Sequence, residues 1–426
     1  MKYWMASTAA ACAALTLVAA GCGGGGGSVG GGNTNNFDAS TLQGDFPFGV
    51  WLQDPTHQIG GRTTAELYKE IGISHWMGIY LWPDETIRYP GYNVQAAELL
   101  QTYGYKVFAG QDQTAIDWNT DHPQFRDTYV GYLVGDEPDM TKFSNPEHYP
   151  PTWEAACQLL RTHDPTREVW ANFGKGFAKN PWNGYQAHPG PTVQDDHNAF
   201  THYLTLVSVD FYGLTDSYEA PNYCGIWTYG KAIDNTRDYV DANPQNPGLP
   251  VWGFVECAGP NSLGEGLYPS MPPELIQPTI WNLVVHGATG VIYFCHNYLG
   301  PNHSATYPLE HPEVGGVMWA AHRAVRAYGA VLATPTIPGT TVTTDGAVGV
   351  TALTKRFGGD TFVFAMAEGD VPHPYGQAVT ATITPPSVGA LVEVLNESRT
   401  VALTGGSFTD HFAPYELHVY RVVGAQ

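Results

Sequence analysis

From residue 47 onward, short runs of aliphatic, aromatic and β-branched residues recur along the chain, each followed by a stretch of helical or irregular character. The runs are "FGVWLQ", "HWMGIYLW", "KVFAGQ", "VGYLVGDEP", "EVWANFG", "LVSVDFYG", "PVWGFVEC" and "GVIYFCHN". Apolar positions at helical spacing appear in "TTAELYKEIG", which Gly72 stops, and in "YNVQAAELLQTYG" and "TWEAACQLLRTHD". Helix-like stretches also surround "GKAIDNTRDYVDA" and "PELIQPTIWNLVVHGA". The strand-like runs are mostly continuous rather than alternating, as expected when both faces of a strand are covered. Eight strands interleaved with helices predict an α/β fold of the (β/α)8 barrel type. A doubly wound open sheet would carry a glycine-rich phosphate loop after its first strand, and "WLQDPTHQIGG" has no GxGxxG spacing.

The pattern changes near residue 336. Beyond "MWAAHRAVRAYGAVLATP" the segments are short and alternating: "GVTALTKR", "TFVFAMAEG", "AVTATITPP", "LVEVLNES" and "PYELHVYRV", punctuated by Gly, Pro or Asn. This predicts a small all-β sandwich over 336–426, following a barrel over 45–335, with prolines 335 and 338 marking the junction.

Composition narrows the function. Nineteen basic and 40 acidic side chains give a formal charge of −21. That balance argues against a nucleic-acid partner, for which no basic patch is available. Only 14% of residues are charged while 13% are aromatic, a surface suited to neutral polar ligands. The first residues stand apart. Lys2 precedes an apolar "AAACAALTLVAA", too short for a confident membrane span, and "LVAAGC" resembles the lipobox of bacterial lipoproteins. The resemblance implies a signal peptide over 1–21 and a lipidated Cys22. A glycine-rich tether over 22–44 then leads to the fold. The expectation is an exported protein, anchored by lipid at the cell surface or outer membrane and touching the membrane only there.

Active groups in such barrels gather at the C-terminal ends of the strands. Polar residues here collect at those ends: Asp136 and Glu137 after the fourth strand, Asn172 in the fifth, Asp210 and Tyr212 in the sixth. Glu256 follows in the seventh, with His296 and Asn297 after the eighth. Carboxylates embedded in "YLVGDE" and "WGFVEC" are telling, because an unpaired buried carboxylate is costly. Strands four and seven face each other across a barrel, so Glu137 and Glu256 could flank a sugar ring. Partial burial and neighbouring charge suit Glu137 to acid–base work, and Glu256 suits a nucleophile if hydrogen bonds keep it ionised. Trp51 and Trp82, by strand position, and Trp182, in the loop "KNPWNGYQAHPGP", are the better candidates for stacking on sugar rings. No HxH or HExxH pattern accompanies the strand ends, so neither a metal nor another cofactor is called for.

These residues resemble those of the retaining glycoside hydrolases whose (β/α)8 barrels carry catalytic glutamates on strands four and seven. "GDEPD" is similar to the family's acid–base phrase, with Glu137 and Pro138 in the glutamate and proline positions; Glu256 of "WGFVEC" matches the nucleophile. Tyr212 of "DFYG" matches a tyrosine that, in the family, hydrogen-bonds the nucleophile. The resemblance implies a retaining β-glycoside hydrolase acting on a neutral polysaccharide or oligosaccharide, with an appended β-domain. One position departs: Asp136 stands where the family has an asparagine that contacts the sugar, and a carboxylate cannot donate as an amide does. That departure keeps open an inactive carbohydrate-binding barrel. Among Cys157, Cys224, Cys257 and Cys295, a Cys224–Cys257 disulfide near the cleft is the favoured pairing; Cys295 competes for Cys257, and four free thiols remain open.

Overall fold

The computed structural model describes residues 39–424, apart from 82–90, 111–112, 142–144, 180–191, 217–222, 263, 265, 302, 388 and 390. Trp82, Trp182 and Cys22, with the expected signal peptide and most of the expected tether, lie outside the described residues. Residues 40–426 form one compact unit.

The eight expected runs become strands β1 (Phe48–Trp51), β2 (His75–Ile79), β3 (Lys106–Ala109), β4 (Tyr129–Asp136), β5 (Glu168–Phe173), β6 (Leu206–Val209), β7 (Val251–Glu256) and β8 (Gly290–Phe294). Each pairs in parallel with its neighbours, and β1 also pairs with β8, closing the barrel. Alternation decides what fills it. Trp51, Met77, Phe108, Leu133, Trp170, Leu206, Trp252, Phe254 and Ile292 form the interior cluster. Residues one step along face the surrounding helices. Trp51 is therefore a core residue rather than a sugar platform. Its ring meets Trp170 and Phe254 edge-on at 5.6 and 5.8 Å.

The helices outside the barrel include α1 (Thr64–Glu70), α2 (Tyr92–Thr102), α3 (Gln113–Asp121), α4 (Pro150–His163), α5 (Val193–Thr201), α6 (Trp227–Asp241), α7 (Pro273–Val285) and α8 (Pro312–Arg326). Helices α3 and α5 were not legible in the sequence. The buried face of α5 carries Asp196, His197 and Thr201 beside Phe200, and that of α3 carries Asn119, so an apolar period never emerges. The last α-segment leads into two antiparallel sheets. One orders Thr341–Thr344, Val379–Thr384 and Phe408–Phe412; the other has five strands, including β9 (Val350–Phe357) and β10 (Asp360–Ala367). Their facing sides share one apolar core. The sandwich packs on the barrel through α7, where Trp281 stacks on Phe364 at 6.2 Å.

The expected disulfide is not formed: all four described cysteines are free and buried. Cys257, one step beyond the inward-facing Glu256, turns outward, and its thiol lies 3.8 Å from the Met318 sulfur on α8. The thiol that neighbours it is that of Cys295, the competitor for the pairing, rather than that of Cys224.

Candidate active site

The C-terminal strand ends hold a set of carboxyl groups. Asp136 reaches it through an irregularity. Between Leu133 and Asp136 strand β4 advances three residues while β5 advances two, from Trp170 to Asn172. This extra residue reverses the alternation, so Asp136 shares the inward face with Leu133 instead of pointing at the helices. Gly135 absorbs the bend; a Cβ there would lie 2.9 Å from the Trp153 ring on α4.

A hydrogen-bond chain climbs from the barrel core to this acid. Trp170 Nε1 donates to Ser208 Oγ at 2.9 Å, Ser208 donates to Asn172 Oδ1 at 2.8 Å, and Asn172 Nδ2 donates to Asp136 Oδ1 at 2.9 Å. Asn172 is thus committed to orienting Asp136. Asp136 is open to the bowl, yet protein around its base disfavours its charge and raises its pKa against the Asn172 hydrogen bond.

Glu137 follows in a left-handed conformation, φ 46°, which is costly for a residue with a Cβ. Its N–H binds the Asn172 carbonyl at 2.9 Å and its own carbonyl receives Met140 N–H at 3.0 Å. The side chain reaches Gly174, where an added Cβ would come within 2.5 Å of Oε1. Asp139, 3% exposed, holds that loop by accepting the N–H groups of Gly174 and Phe177 at 3.0 and 3.2 Å. Burial, with the charges of Asp136 and Asp139, pushes Glu137 up to about 8. The carboxyl of Asp210 stands beside it, and the charge of Glu137 is the main influence on Asp210 after burial. Burial and the nearby acids raise Asp210 as well.

Glu256 closes strand β7 with its side chain inward and wholly buried. Oε1 accepts Tyr229 Oη–H at 2.6 Å and Thr215 Oγ1–H at 2.9 Å. Oε2 has no hydrogen-bond partner among the described residues. Burial raises its pKa to about 7 even though both hydroxyls favour the carboxylate. The tyrosine on this carboxylate is therefore Tyr229 of α6. Tyr212, expected there, instead donates to Asp210 Oδ2 at 3.4 Å. Its burial and the charges of Asp210, Glu256, Glu137 and Asp136 keep its phenol protonated. A Lys175–Asp216 ion pair of 2.7 Å stands beside the acids; its cation lowers Glu137, while Asp216 raises Glu256.

Other strand ends form the opposite side of the bowl. Gln53, Asp54, Tyr80, Tyr92 and His296 line a cleft of about 280 Å³. Tyr80 and Tyr298 are exposed at 46% and 41%, and Tyr298 lies parallel to His296 with ring centroids 5.9 Å apart. These two tyrosines were not singled out in the sequence. Asn297 does not face the bowl freely: Oδ1 accepts Gly259 N–H at 3.2 Å and Nδ2 donates to Leu299 O at 3.3 Å, fastening two loops.

Chemically, one half of the bowl offers proton-holding carboxyls and a hydrogen-bonded carboxylate. The other offers aromatic faces, neutral polar groups and the carboxyl group of Asp54, a set suited to a polyhydroxylated ligand. No family model matches the chain, and no curated protein does. Solved structures do. The Eubacterium rectale protein Amy13B superposes over 90% of this chain and 98% of its own, with TM-score 0.51 and 8% identity. AmyP in complex with maltose gives 0.47 at 9% identity over 91% and 98% of the two chains. AbfB, a family 51 α-L-arabinofuranosidase from Bifidobacterium longum, gives 0.46 at 11% over 88% and 95%. The likeness is one of fold.

Proposed function

We propose that this protein is a retaining β-glycoside hydrolase acting on a neutral polysaccharide or oligosaccharide, with Glu137 as acid–base and Glu256 as nucleophile. A barrel hosts many chemistries, so the reading rests on the site. The observation that carries it is the contrast between two glutamates at the ends of β4 and β7. Glu137 stands among other acids, and burial with the charges of Asp136 and Asp139 pushes it up to about 8, whereas Glu256 has Tyr229 and Thr215 donating to one oxygen, which favours its carboxylate. The glutamate crowded by other acids holds the proton for the leaving oxygen; the one with two hydroxyl donors supplies the free electron pair from Oε2. Asp136, oriented by Asn172, accepts from a sugar hydroxyl in this scheme.

A panel of glycans and aryl glycosides tests the reading, with proton NMR of the first-formed anomer. Retention is expected, and an inverted anomer would reject Glu256 as nucleophile. In Glu256→Ala, azide should yield the glycosyl azide of opposite configuration. In Glu137→Ala, activity should persist mainly on activated aryl glycosides, with azide giving the retained configuration.

The complete burial of Glu256 favours a second reading, a carbohydrate-binding barrel without turnover. Binding of panel glycans with no product and no trapped intermediate would select it. For location, "LVAAGC" and the glycines after Cys22 support a lipid-anchored, exported protein. Cys22→Ala should move it from the membrane fraction to the soluble one; a wild type already soluble outside the cell would reject the anchor.

A further inference from the structure

The opposite end of the barrel carries polar chemistry that the carboxyl-lined bowl does not use. A cleft of about 980 Å³ lies there, between the strand beginnings and the β-sandwich. Pro47, which precedes β1, and Thr289, which precedes β8, form one wall; Thr351 and Lys355 of β9 form the other. Glu256 and Asp136 are the last residues of their strands, so the barrel's length separates the two sites.

Besides His286, which is paired with Asp234 and Glu368, two cations line this cleft. Lys355 is 8% exposed, and its Nζ donates to the Thr334 carbonyl at 2.7 Å. Arg237 donates to the carbonyls of Leu249 and Gly287 at 2.9 and 3.2 Å. Neither is ion-paired with a carboxylate among the described residues. Three acids also line the cleft, and Asp241 and Asp234 favour the charge of Arg237 from beyond ion-pair distance. Asp234 binds His286 at 2.9 Å, Asp241 accepts Gly248 N–H at 3.2 Å, and Asp45 lies near Arg326. An ammonium has three donors and a guanidinium five, so both cations retain unused N–H groups. Burial, with Arg237 nearby, depresses Lys355 to about 8. A buried charge without a partner is costly, and an anion seated beside both would relieve that cost.

We infer that this cleft is a second binding site, for a small molecule that presents an oxyanion to Lys355 and Arg237. Its volume exceeds what a bare ion needs and suits a sugar-sized ligand bearing a carboxylate or a phosphate. The inference is independent of the hydrolase reading, since it uses none of the bowl residues. The formal charge of −21 opposes anion approach at long range, so the affinity must come from contacts that salt screens little.

Isothermal titration of the full chain with inorganic phosphate, glucuronate and neutral glucose, at fixed ionic strength, tests it. At least one anion should bind, and glucose should not bind at this site. Phosphate alone would identify a phosphate-bearing ligand, glucuronate alone an acidic sugar. Lys355→Met should weaken the anion about tenfold, the worth of one charge-assisted hydrogen bond. Absence of binding by both anions, or equal affinity in Lys355→Met, would overturn the inference. Should that variant fail to fold, acetylation of the wild type with peptide mapping answers the same question. The bound anion should slow modification of Lys355 and leave exposed Lys231 unaffected; equal modification of Lys355 with and without anion would overturn the site.

Discussion

Tyr229 of α6 donates its phenol to Oε1 of Glu256 at 2.6 Å, tying an outer helix to the end of the seventh barrel strand. The bond favours the carboxylate over the acid. Tyr229→Phe should therefore raise the Glu256 pKa and move the acid limb of kcat/KM to higher pH. It should also lower kcat about tenfold, from the loss of a hydrogen bond to a charged group. An unmoved acid limb would show that this bond does not govern the ionisation of Glu256.

The two glutamates predict a narrow pH optimum. Activity should rise as Glu256 loses its proton near pH 7 and fall as Glu137 loses its own near pH 8. The acids interact, so the limbs report apparent values of the set. On an activated aryl glycoside, which needs little protonation, Glu137→Gln should lose the falling limb and keep the rising one. A profile flat from pH 6 to 9 in the wild type would contradict the assignment.

Gly174 makes room for the acid. A Cβ there would lie 2.5 Å from Glu137 Oε1 and 2.8 Å from Met140 Cγ. Gly174→Ala should displace the carboxyl and cost about a hundredfold in kcat, the scale of an ångström's misplacement in an active site. Its Tm should fall by only a few degrees, which thermal unfolding measures beside the kinetics.

The sandwich is latched to the barrel by His286, whose Nδ1 meets Asp234 at 2.9 Å and whose Nε2 meets Glu368 at 2.5 Å. Burial opposes the imidazolium, yet the two carboxylates prevail and raise its pKa to about 10. Folded His286 thus binds its proton more tightly than unfolded His286. The resulting stability is fully present below about pH 6.5 and is lost as pH rises through about 10. Thermal unfolding of wild type and His286→Ala should differ most near pH 6 and converge as pH passes 10; a constant difference would deny the latch its charge.

The barrel was legible because each strand is a continuous apolar run and most helices have their own apolar stripe, patterns carried by residues close in sequence. Glu137 and Glu256 were legible for the same local reason: acids inside such runs at the strand ends demand a purpose. Everything that depends on register was not. A one-residue irregularity in β4 decides that Asp136 faces inward, and alternation along β1 sends Trp51 into the core rather than the bowl. The partner of Glu256 is Tyr229, 27 residues upstream on a helix, while the tyrosine at the expected strand end turns to Asp210. Local spacing encodes which face of an element is apolar. Which side chain meets which across a bowl is set by stagger between strands and the angle of a helix, and those follow only from packing the whole chain.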